Sequence, residues 1–220
     1  MLVGVFVEES ARPYVDGWVG GWARSKGIAA PSPTSTGWYL PTRNDREYER
    51  FVLTSGDERA VRDVLDAVTE PRTAVKFVGD PARWRPVFPP AWIDEEPGWL
   101  MHRTLGPGPL VPVPDGYVSS TDVRDDVIYL EIHCRAGQLA SWGQAGIADG
   151  WLVPDRINTA AAHRRRGLGR ALMTGLEQAG VLGGARRAVL SATADGRELY
   201  RALGWQEVGP LVASYYRGHG

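Results

Sequence analysis

Three residues in the C-terminal part of the chain, Arg164, Gly167 and Gly169, form the pattern R-x-x-G-x-G between a strand-like and a helix-like stretch. Glycines at such positions let the backbone approach a ligand closely. The first turn of a helix also offers unpaired N–H groups and the positive end of the helix dipole, which favour an anion. The spacing therefore predicts a cradle for a pyrophosphate. The helix itself is predicted by apolar residues at helical intervals, namely Leu168, Leu172, Leu176 and Ala179.

Two other phosphate-binding patterns do not fit this stretch. A P-loop requires G-x-x-x-x-G-K-[ST], and this string does not occur in the chain. The dinucleotide fingerprint G-x-G-x-x-G requires a third small residue, but Leu172 stands at that position. Acyl-coenzyme A is the remaining pyrophosphate-bearing ligand.

The stretch resembles the motif [RQ]-x-x-G-x-[GA] of the GCN5-related N-acetyltransferases, the GNAT superfamily. A second stretch, Gly196 to Trp205, is similar to that family's L-Y-x-x-L-G-[FW] segment and follows at a family-like distance, with a strand between the two. This resemblance implies an acyl-CoA-dependent N-acyltransferase, with acetyl-CoA as the co-substrate. The acceptor implied is a primary amine of a small molecule, acylated directly through a tetrahedral intermediate.

The resemblance also implies which residues contact the cofactor. In the family, the strand before the motif lies along the pantetheine arm, and a backbone N–H there can point at the thioester oxygen. An asparagine contacts the cofactor in many members, and Asp195 stands at that position here. The cofactor-binding residues expected are Ile157, Asn158, Thr159, Arg164, Arg165, Arg166, Gly167, Leu168, Gly169, Arg170 and Asp195.

Tyr200 is the candidate acid. A tyrosine with a pKa of about 10 stays protonated at neutral pH, and a thiolate whose conjugate acid has a pKa of about 8.5 can accept its proton. Tyr200 adjoins the apolar stripe of Leu199 and Leu203, so its ring can lie at the edge of the core with the hydroxyl in a cleft. The alternative is a core tyrosine with a solvated hydroxyl.

The general base has three candidates. Histone-type members of the family carry a glutamate on the strand before the motif, but Val153 stands at the matching position, which disfavours a protein-lysine acceptor. Asp155 is two residues further and faces the same side of the strand. Glu131 and His133 share a face of the preceding strand and could act through a water. The alternatives are an Asp155–Arg156 ion pair and a structural Glu131–His133 pair.

The charge balance argues against nucleic acid and membrane partners. The 220 residues carry a formal net charge of −1, whereas a generic binder of nucleic acid or of an anionic membrane has a basic excess. Lys26 and Lys76 are the only lysines among 25 basic residues, a bias typical of a GC-rich genome. Two alternatives to acyl transfer stay open: a non-catalytic acyl-CoA-binding module and an aminoacyl-tRNA-dependent transferase.

Cysteine and histidine use predicts neither disulfides nor a metal site. The single cysteine, Cys134, excludes an intrachain disulfide and suits a reducing compartment. His133 and Cys134 are neighbours on a predicted strand and point to opposite faces, which prevents joint ligation. The apolar start of the chain is too short for a signal peptide, and no apolar run spans a bilayer. We expect a cytoplasmic monomer or homodimer without a metal cofactor.

The predicted fold is α/β, with a mixed, mainly antiparallel central sheet of the GNAT type. Residues 117–220 follow the order ββββαβαβ, with a helix that ends at Gly180 and a last strand over 211–216. Residues 106–116, GPGPLVPVPDG, form a connector stiffened by proline. Within residues 1–105, helix and strand alternate in an order similar to that of the C-terminal part, but R-x-x-G-x-G is missing. This part is expected to be a degenerate GNAT-like half or an unrelated α/β cap.

Overall fold

The computed structural model describes residues 6–109 and 111–218 and has a mixed α/β fold. Residues 1–5 of the apolar start and residue 110 of the connector lie outside the described residues. Two 3₁₀ turns, Arg85–Val87 and Ala161–His163, precede β5 and α4. The α-helices are α1 (Phe6–Lys26), α2 (Glu58–Ala67), α3 (Pro81–Trp84), α4 (Leu168–Leu182) and α5 (Ala194–Ala202).

The strands form one sheet within the described residues. They are β1 (Ser32–Pro33), β2 (Gly37–Leu40), β3 (Glu49–Leu53), β4 (Thr73–Val78), β5 (Trp92–Asp94), β6 (Gly98–Thr104), β7 (Tyr117–Arg124), β8 (Val127–Cys134), β9 (Leu139–Ala148), β10 (Trp151–Thr159), β11 (Arg187–Ala192) and β12 (Gln206–Tyr216). Their order across the sheet is β1-β2-β3-β4-β12-β6-β11-β10-β9-β8-β7, and β5 pairs with β12.

Strand pairing is mostly antiparallel, as the sequence predicts. Among the described strands, β3 pairs parallel with β4 and β10 pairs parallel with β11, and a helix (α2 or α4) connects each of these pairs. The remaining pairs are antiparallel. From β7 to β12 the chain follows the predicted order ββββαβαβ, which confirms the predicted fold class.

Helices cover both faces of the central strands, and alternate residues of β10 show which helix lies on which face. Trp151 and Val153 contact α1, since a Cβ at Gly17 or Gly21 of that helix would collide with their side chains. Leu152, on the opposite face, packs beneath α4. The end of β10 therefore lies between two helices, and substituents from both faces can meet there.

Strand β6 is the structural link between the first and second parts of the chain. It lies between β11 and β12, antiparallel to both. Its Met101 belongs to the core beneath α4 and α5, whereas Leu100 belongs to the core beneath α1. A strand from the residues before the connector thus lies between two strands from the residues after it.

Two predicted boundaries are wrong. Helix α4 continues past Gly180 to Leu182. Gly180 does not stop the helix but permits close packing, because a Cβ there would lie 2.8 Å from Leu152 Cδ1. Strand β12 begins at Gln206 and not at Leu211; its first residues are exposed and a register shift follows Glu207, so they lack the apolar pattern of a buried strand.

Candidate active site

Strands β10 and β11 separate after their first two pairs, and this opens a gap in the sheet. Their parallel pairing includes Trp151 with Arg187 and Leu152 with Ala188, and no further pair. On its other side β10 stays paired with β9 as far as Thr159, with a register shift between Asp155 and Asn158. The last part of β10 therefore has an edge that β11 does not cover.

The predicted pantetheine-binding residues lie on this uncovered part of β10. Ile157 turns its side chain toward α4, where it would meet a Cβ placed at Gly143. The carbonyl oxygen of Asn158 accepts a hydrogen bond from Ser141 Oγ at 2.7 Å, and Thr159 Oγ1 lies 2.9 Å from the same hydroxyl. These contacts fix the strand beside the gap.

The turn between β10 and α4 is held by contacts to a strand at the sheet's edge. His163 Nδ1 lies 3.0 Å from the hydroxyl of Tyr117, and Arg166 Nη1 donates to the same hydroxyl at 3.2 Å. Arg164 Nε donates to the carbonyl oxygen of Thr159 at 3.2 Å. The turn is therefore ordered before any ligand binds.

Helix α4 begins with its N–H groups uncapped. Its N-cap residue, Gly167, has φ of 79° in the left-handed region that favours glycine, and no side chain caps it. The N–H of Ala171 bonds to the Gly167 carbonyl oxygen at 3.1 Å, so the N–H groups before it have no helical acceptor. The predicted cradle residues Arg164, Arg165, Arg166, Gly167 and Arg170 are exposed, Gly169 is half-buried and the Leu168 side chain is buried in the core.

The open start of α4 contrasts with the start of α2. The Asp57 carboxylate caps α2 and accepts from the N–H of Ala60 at 2.8 Å, and Glu58 adds a second negative charge in the first turn. An anion is repelled there. Of these two helices, each of which connects a parallel strand pair, α4 alone offers free N–H groups to a phosphate.

Tyr200 lies in α5 at the edge of the core, and 7% of its surface is exposed. Burial, together with the negative charge of Asp155, raises the pKa of Tyr200 to about 12. The phenol is therefore protonated throughout the neutral range. Tyr200 is part of the core beneath α4, and Asp155 is close enough for its charge to act on the phenol.

Asp155 is held by the end of α1. Its Oδ2 lies 2.7 Å from Lys26 Nζ and accepts from Ser25 Oγ at 3.1 Å, whereas Arg156 Nε is 4.0 Å away. Gln144, on the neighbouring strand β9, donates to Ser25 Oγ at 2.9 Å. The partner suggested by the sequence, Arg156, is thus the more distant one. Lys26 was missed because it stands far away in the chain.

Two of the other predicted site residues, Glu131 and His133, lie away from the gap. Glu131 and His133 lie on β8, 3.7 Å apart, and β9 separates them from β10. Glu131 is opposite Trp142, which is opposite Asn158, so two strand spacings, about 10 Å, separate Glu131 from β10. Asp195 is exposed in the first turn of α5, whose N-cap is Thr193.

A cavity of about 860 Å³ adjoins Asp155 on the face where α1 ends. Lys26 and Arg156, which flank Asp155, line it, and residues 42–50 supply another wall. Lys26 and Lys76, the only lysines of the chain, both line this cavity, a signal that sequence reasoning did not use. No group of three metal-ligating side chains occurs within residues 6–109 and 111–218.

Residues 110–205 match the model of the acetyltransferase (GNAT) family. The match covers 96 of the 220 residues, so it is this C-terminal segment that is similar to the GNAT family. The segment contains the uncapped start of α4, the gap between β10 and β11, and Tyr200, so the features described above lie within the GNAT match. No curated protein sequence matches the chain.

Solved GNAT structures share the fold over nearly the whole chain. A GCN5-related N-acetyltransferase from Kribbella flavida has a TM-score of 0.67 at 17% identity, over 99% of this chain and 97% of that one. A GCN5-related N-acetyltransferase from Sphaerobacter thermophilus has a TM-score of 0.56 at 14% identity, over 96% and 95%. A tandem GNAT protein from the clavulanic acid biosynthesis pathway has a TM-score of 0.50 at 14% identity, over 68% and 66%.

No helix among the residues described has the length and apolar character needed to span a membrane.

Proposed function

We propose that this protein transfers an acyl group, acetyl in the first instance, from acyl-CoA to a primary amine of a small molecule. The observation that carries the proposal is the uncapped, exposed start of α4, which follows the strand edge of β10 that β11 leaves uncovered. The helix start would bind the pyrophosphate, and the strand edge would bind the pantetheine arm. Tyr200 would then lie near the sulfur.

In this proposal Tyr200 stabilises the leaving thiolate. Its pKa of about 12 exceeds the ordinary thiol pKa, and full proton transfer to a thiolate with a pKa of about 8.5 costs about 5 kcal/mol. A hydrogen bond from the phenol to the developing thiolate needs no such transfer. We therefore assign Tyr200 the role of a hydrogen-bond donor during bond cleavage, and CoA leaves as the thiolate, which takes its proton from water.

Asp155 is the favoured candidate for accepting the amine's proton, directly or through a water. It faces the cavity side of the sheet beside the gap, and its charge acts on Tyr200. Glu131 and His133 lack such a connection. The gap brings amine and thioester together in one place, which converts a bimolecular encounter into a local one.

We also propose that residues 37–105 are a degenerate GNAT-like half. The parallel pair β3/β4 with α2 corresponds to the parallel pair β10/β11 with α4. Each pair is followed by an antiparallel strand from the other part of the chain, β12 beside β4 and β6 beside β11. Likeness to a tandem GNAT protein supports this proposal. Because the Asp57 side chain caps the N-terminus of α2, that helix would not bind the cofactor, which would bind at α4. The first half would instead shape the acceptor site.

Acetyl-CoA binding and thiol release test the function separately. We expect acetyl-CoA to raise the melting temperature, because a ligand that binds only the native state stabilises it. With a panel of amines, the wild-type protein should release CoA thiol, and Tyr200→Phe should release it about 100-fold more slowly with an unchanged melting shift. Tyr129→Phe, on β8, is the matched control. A melting shift without thiol release from any amine would leave an acyl-CoA-binding module, and tRNA binding that weakens steeply with salt would favour the tRNA-dependent alternative.

A further inference from the structure

The cavity beside Asp155, named here the charged pocket, has an unusual lining for a site that must accept an ammonium or amine. Five basic and three acidic side chains line it. The basic ones are Lys26, Arg46, Arg50, Lys76 and Arg156. A pocket for a simple cationic amine would need the opposite balance, since like charges repel.

Most acidic groups at the charged pocket are already neutralised by ion pairs. Arg50 donates two hydrogen bonds to the Glu47 carboxylate, at 2.9 and 2.7 Å, and is itself buried. Lys76 Nζ lies 2.5 Å from Glu95 Oε2. Lys26 is paired to Asp155, so Asp45 is the one carboxylate of the lining that has no ion pair among the described residues.

Two arginines of the charged pocket keep unsatisfied charge. Arg46 is exposed and has no ion pair among the described residues, and Arg156 approaches a carboxylate no closer than 4.0 Å. Arg156 directly follows Asp155 on the irregular part of β10, where its φ is 54°. Arg156, weakly paired, therefore lies beside Asp155, and Arg46 belongs to the wall formed by residues 42–50.

The basic side chains of the charged pocket act on the two titratable groups deepest in it. Burial acts to raise the pKa of Glu95, but the charges of Lys76, Arg50 and Arg46 bring it below its ordinary value. Burial and the neighbouring Arg50 lower the pKa of Lys76. Arginine guanidinium groups bind carboxylate and phosphate in a two-pronged geometry that suits either anion.

An aromatic wall completes the charged pocket. Trp22 lines it, with the guanidinium carbon of Arg50 3.9 Å and Lys26 Nζ 5.5 Å from its ring centroid. Ile28 and Tyr215 add apolar surface. The pocket can thus hold the apolar or aromatic part of a ligand between the two arginines and the gap.

We propose that the charged pocket binds the acceptor and that this acceptor carries an anionic group, a carboxylate or a phosphate, together with its primary amine. The anion binds to Arg46 and Arg156, and the amine points into the gap beside Asp155. This inference rests on the proposed acyl transfer, because it names the acceptor class of the same site.

Pairs of acceptors that share a skeleton test the anion requirement. Phenylalanine and phenethylamine differ by a carboxylate, and O-phosphoethanolamine and ethanolamine differ by a phosphate. With acetyl-CoA as donor, thiol release should show a kcat/KM at least about tenfold higher for the anionic member of one pair. Which pair responds distinguishes carboxylate from phosphate. Equal or better turnover of the neutral member in both pairs would overturn the inference.

Arginine variants test the location. Arg46→Gln and Arg156→Gln should each raise KM for the preferred anionic acceptor about tenfold, because each removes a charged hydrogen-bond donor, and should leave KM for its neutral counterpart unchanged. Arg62→Gln, which removes an exposed guanidinium of α2 paired with Glu58, is the matched control and should change neither. Loss of affinity for both members alike, or an equal effect of Arg62→Gln, would place the anion elsewhere.

Direct binding separates this inference from the proposed function. Calorimetric titration of the anionic and neutral acceptors, without donor, should show about tenfold weaker anion binding in Arg46→Gln. This result does not depend on CoA. Acetyl-CoA that fails to raise the melting temperature would overturn acyl transfer, whereas acceptor binding that is indifferent to Arg46 and Arg156 would overturn the charged pocket as the anion site.

Discussion

At the scale of single residues, Asp155 connects two regions that are distant in the chain. It joins Lys26 and Ser25 at the end of α1 and also contributes to the raised pKa of Tyr200. A carboxylate held in this way is pre-oriented beside the gap. In this position it can accept the proton of the attacking amine through a water.

We expect Asp155→Asn to slow thiol release about 10- to 100-fold, because asparagine keeps the shape and can still bond to Ser25 but carries no charge. The equivalent changes Glu131→Gln and His133→Gln, on β8, should alter the rate less than about twofold. Steady-state kinetics with a fixed acceptor measure all three. The melting shift with acetyl-CoA, unchanged in each variant, shows that the fold and the donor site are intact. A larger effect of Glu131→Gln than of Asp155→Asn would move the base to β8.

At the scale of elements, the difference between α2 and α4 determines where an anion can bind. Both helices connect parallel strands, but Asp57 fills the N-terminus of α2 and Gly167 leaves that of α4 open. Anion binding at a helix start depends on these free N–H groups.

Introducing a cap at Gly167 should therefore abolish cofactor binding. Gly167→Asp would place a carboxylate at the N-cap of α4, and we expect it to weaken acetyl-CoA binding by well over about tenfold through competition and repulsion. Gly167→Asn also tolerates the left-handed conformation and caps the helix without a charge, so its effect should be smaller. Calorimetric titration with CoA gives the affinities. Equal affinities of the two variants would show that the charge at this helix start is unimportant.

A carboxylate of β12 fixes the helix that carries Tyr200. Glu207 accepts from Arg197 at 2.6 and 2.7 Å and from Arg201 at 2.5 Å, both on α5. The hydrogen bond from Arg197 is the largest cause that lowers the pKa of Glu207, and burial opposes it with a smaller effect. The resulting pKa is about 2. Since the folded pKa is below the unfolded value of about 4.3, the stabilisation is present above that value and is lost as the pH falls toward 2.

Glu207→Gln should accordingly lower the free energy of unfolding at pH 7 by about 1 kcal/mol, a value reduced by partial exposure to water. The difference from the wild-type protein should shrink as the pH falls toward 2, because protonation neutralises a growing share of the Glu207 carboxylate. Urea unfolding at several pH values measures it. Glu198→Gln removes a more exposed partner of Arg201 and should have less effect. A difference between Glu207→Gln and wild type that stays constant from pH 7 to pH 2 would contradict the ion pair as its cause.

At the scale of the whole molecule, the two parts of the chain share one sheet. Strand β6 lies between β11 and β12, and β12 in turn lies beside β4. Each part supplies a strand that lies between two strands of the other part. The acceptor pocket proposed above is a product of this exchange, because α1, residues 42–50, β4 and β10 all contribute to its lining.

A fragment of residues 106–220 should therefore not fold on its own, even though it contains the whole R-x-x-G-x-G motif. Without β6, strands β11 and β12 lose the neighbour that joins them, and the core loses the buried Met101. Thermal unfolding followed by circular dichroism should show no cooperative transition. Co-expression with residues 1–105 should restore the transition and the melting shift with acetyl-CoA. A cooperative, acetyl-CoA-responsive fragment would contradict the exchange as a requirement for folding.

Much of the C-terminal part could be predicted from local sequence. Apolar periodicity indicated the order of strands and helices, and the spacing of Arg164, Gly167 and Gly169 indicated an open helix start, because both patterns depend on residues within a few positions of one another. The boundary of α4 was predicted wrongly since Gly180 was taken for a stop. Its actual role, close approach to Leu152, depends on a strand on the other side of the core.

The chain's sequence by itself determined the element order of the C-terminal part and the exposed glycine-containing start of α4, and it singled out Tyr200 as a candidate. Tertiary structure alone decided that Lys26 holds Asp155, that β6 completes the sheet of the second part, and that Arg46 and Arg156 share a pocket. The physical reason is that these contacts join residues about one hundred positions apart. No local periodicity encodes such a contact, and it forms only when burial of both faces of the sheet brings the segments together.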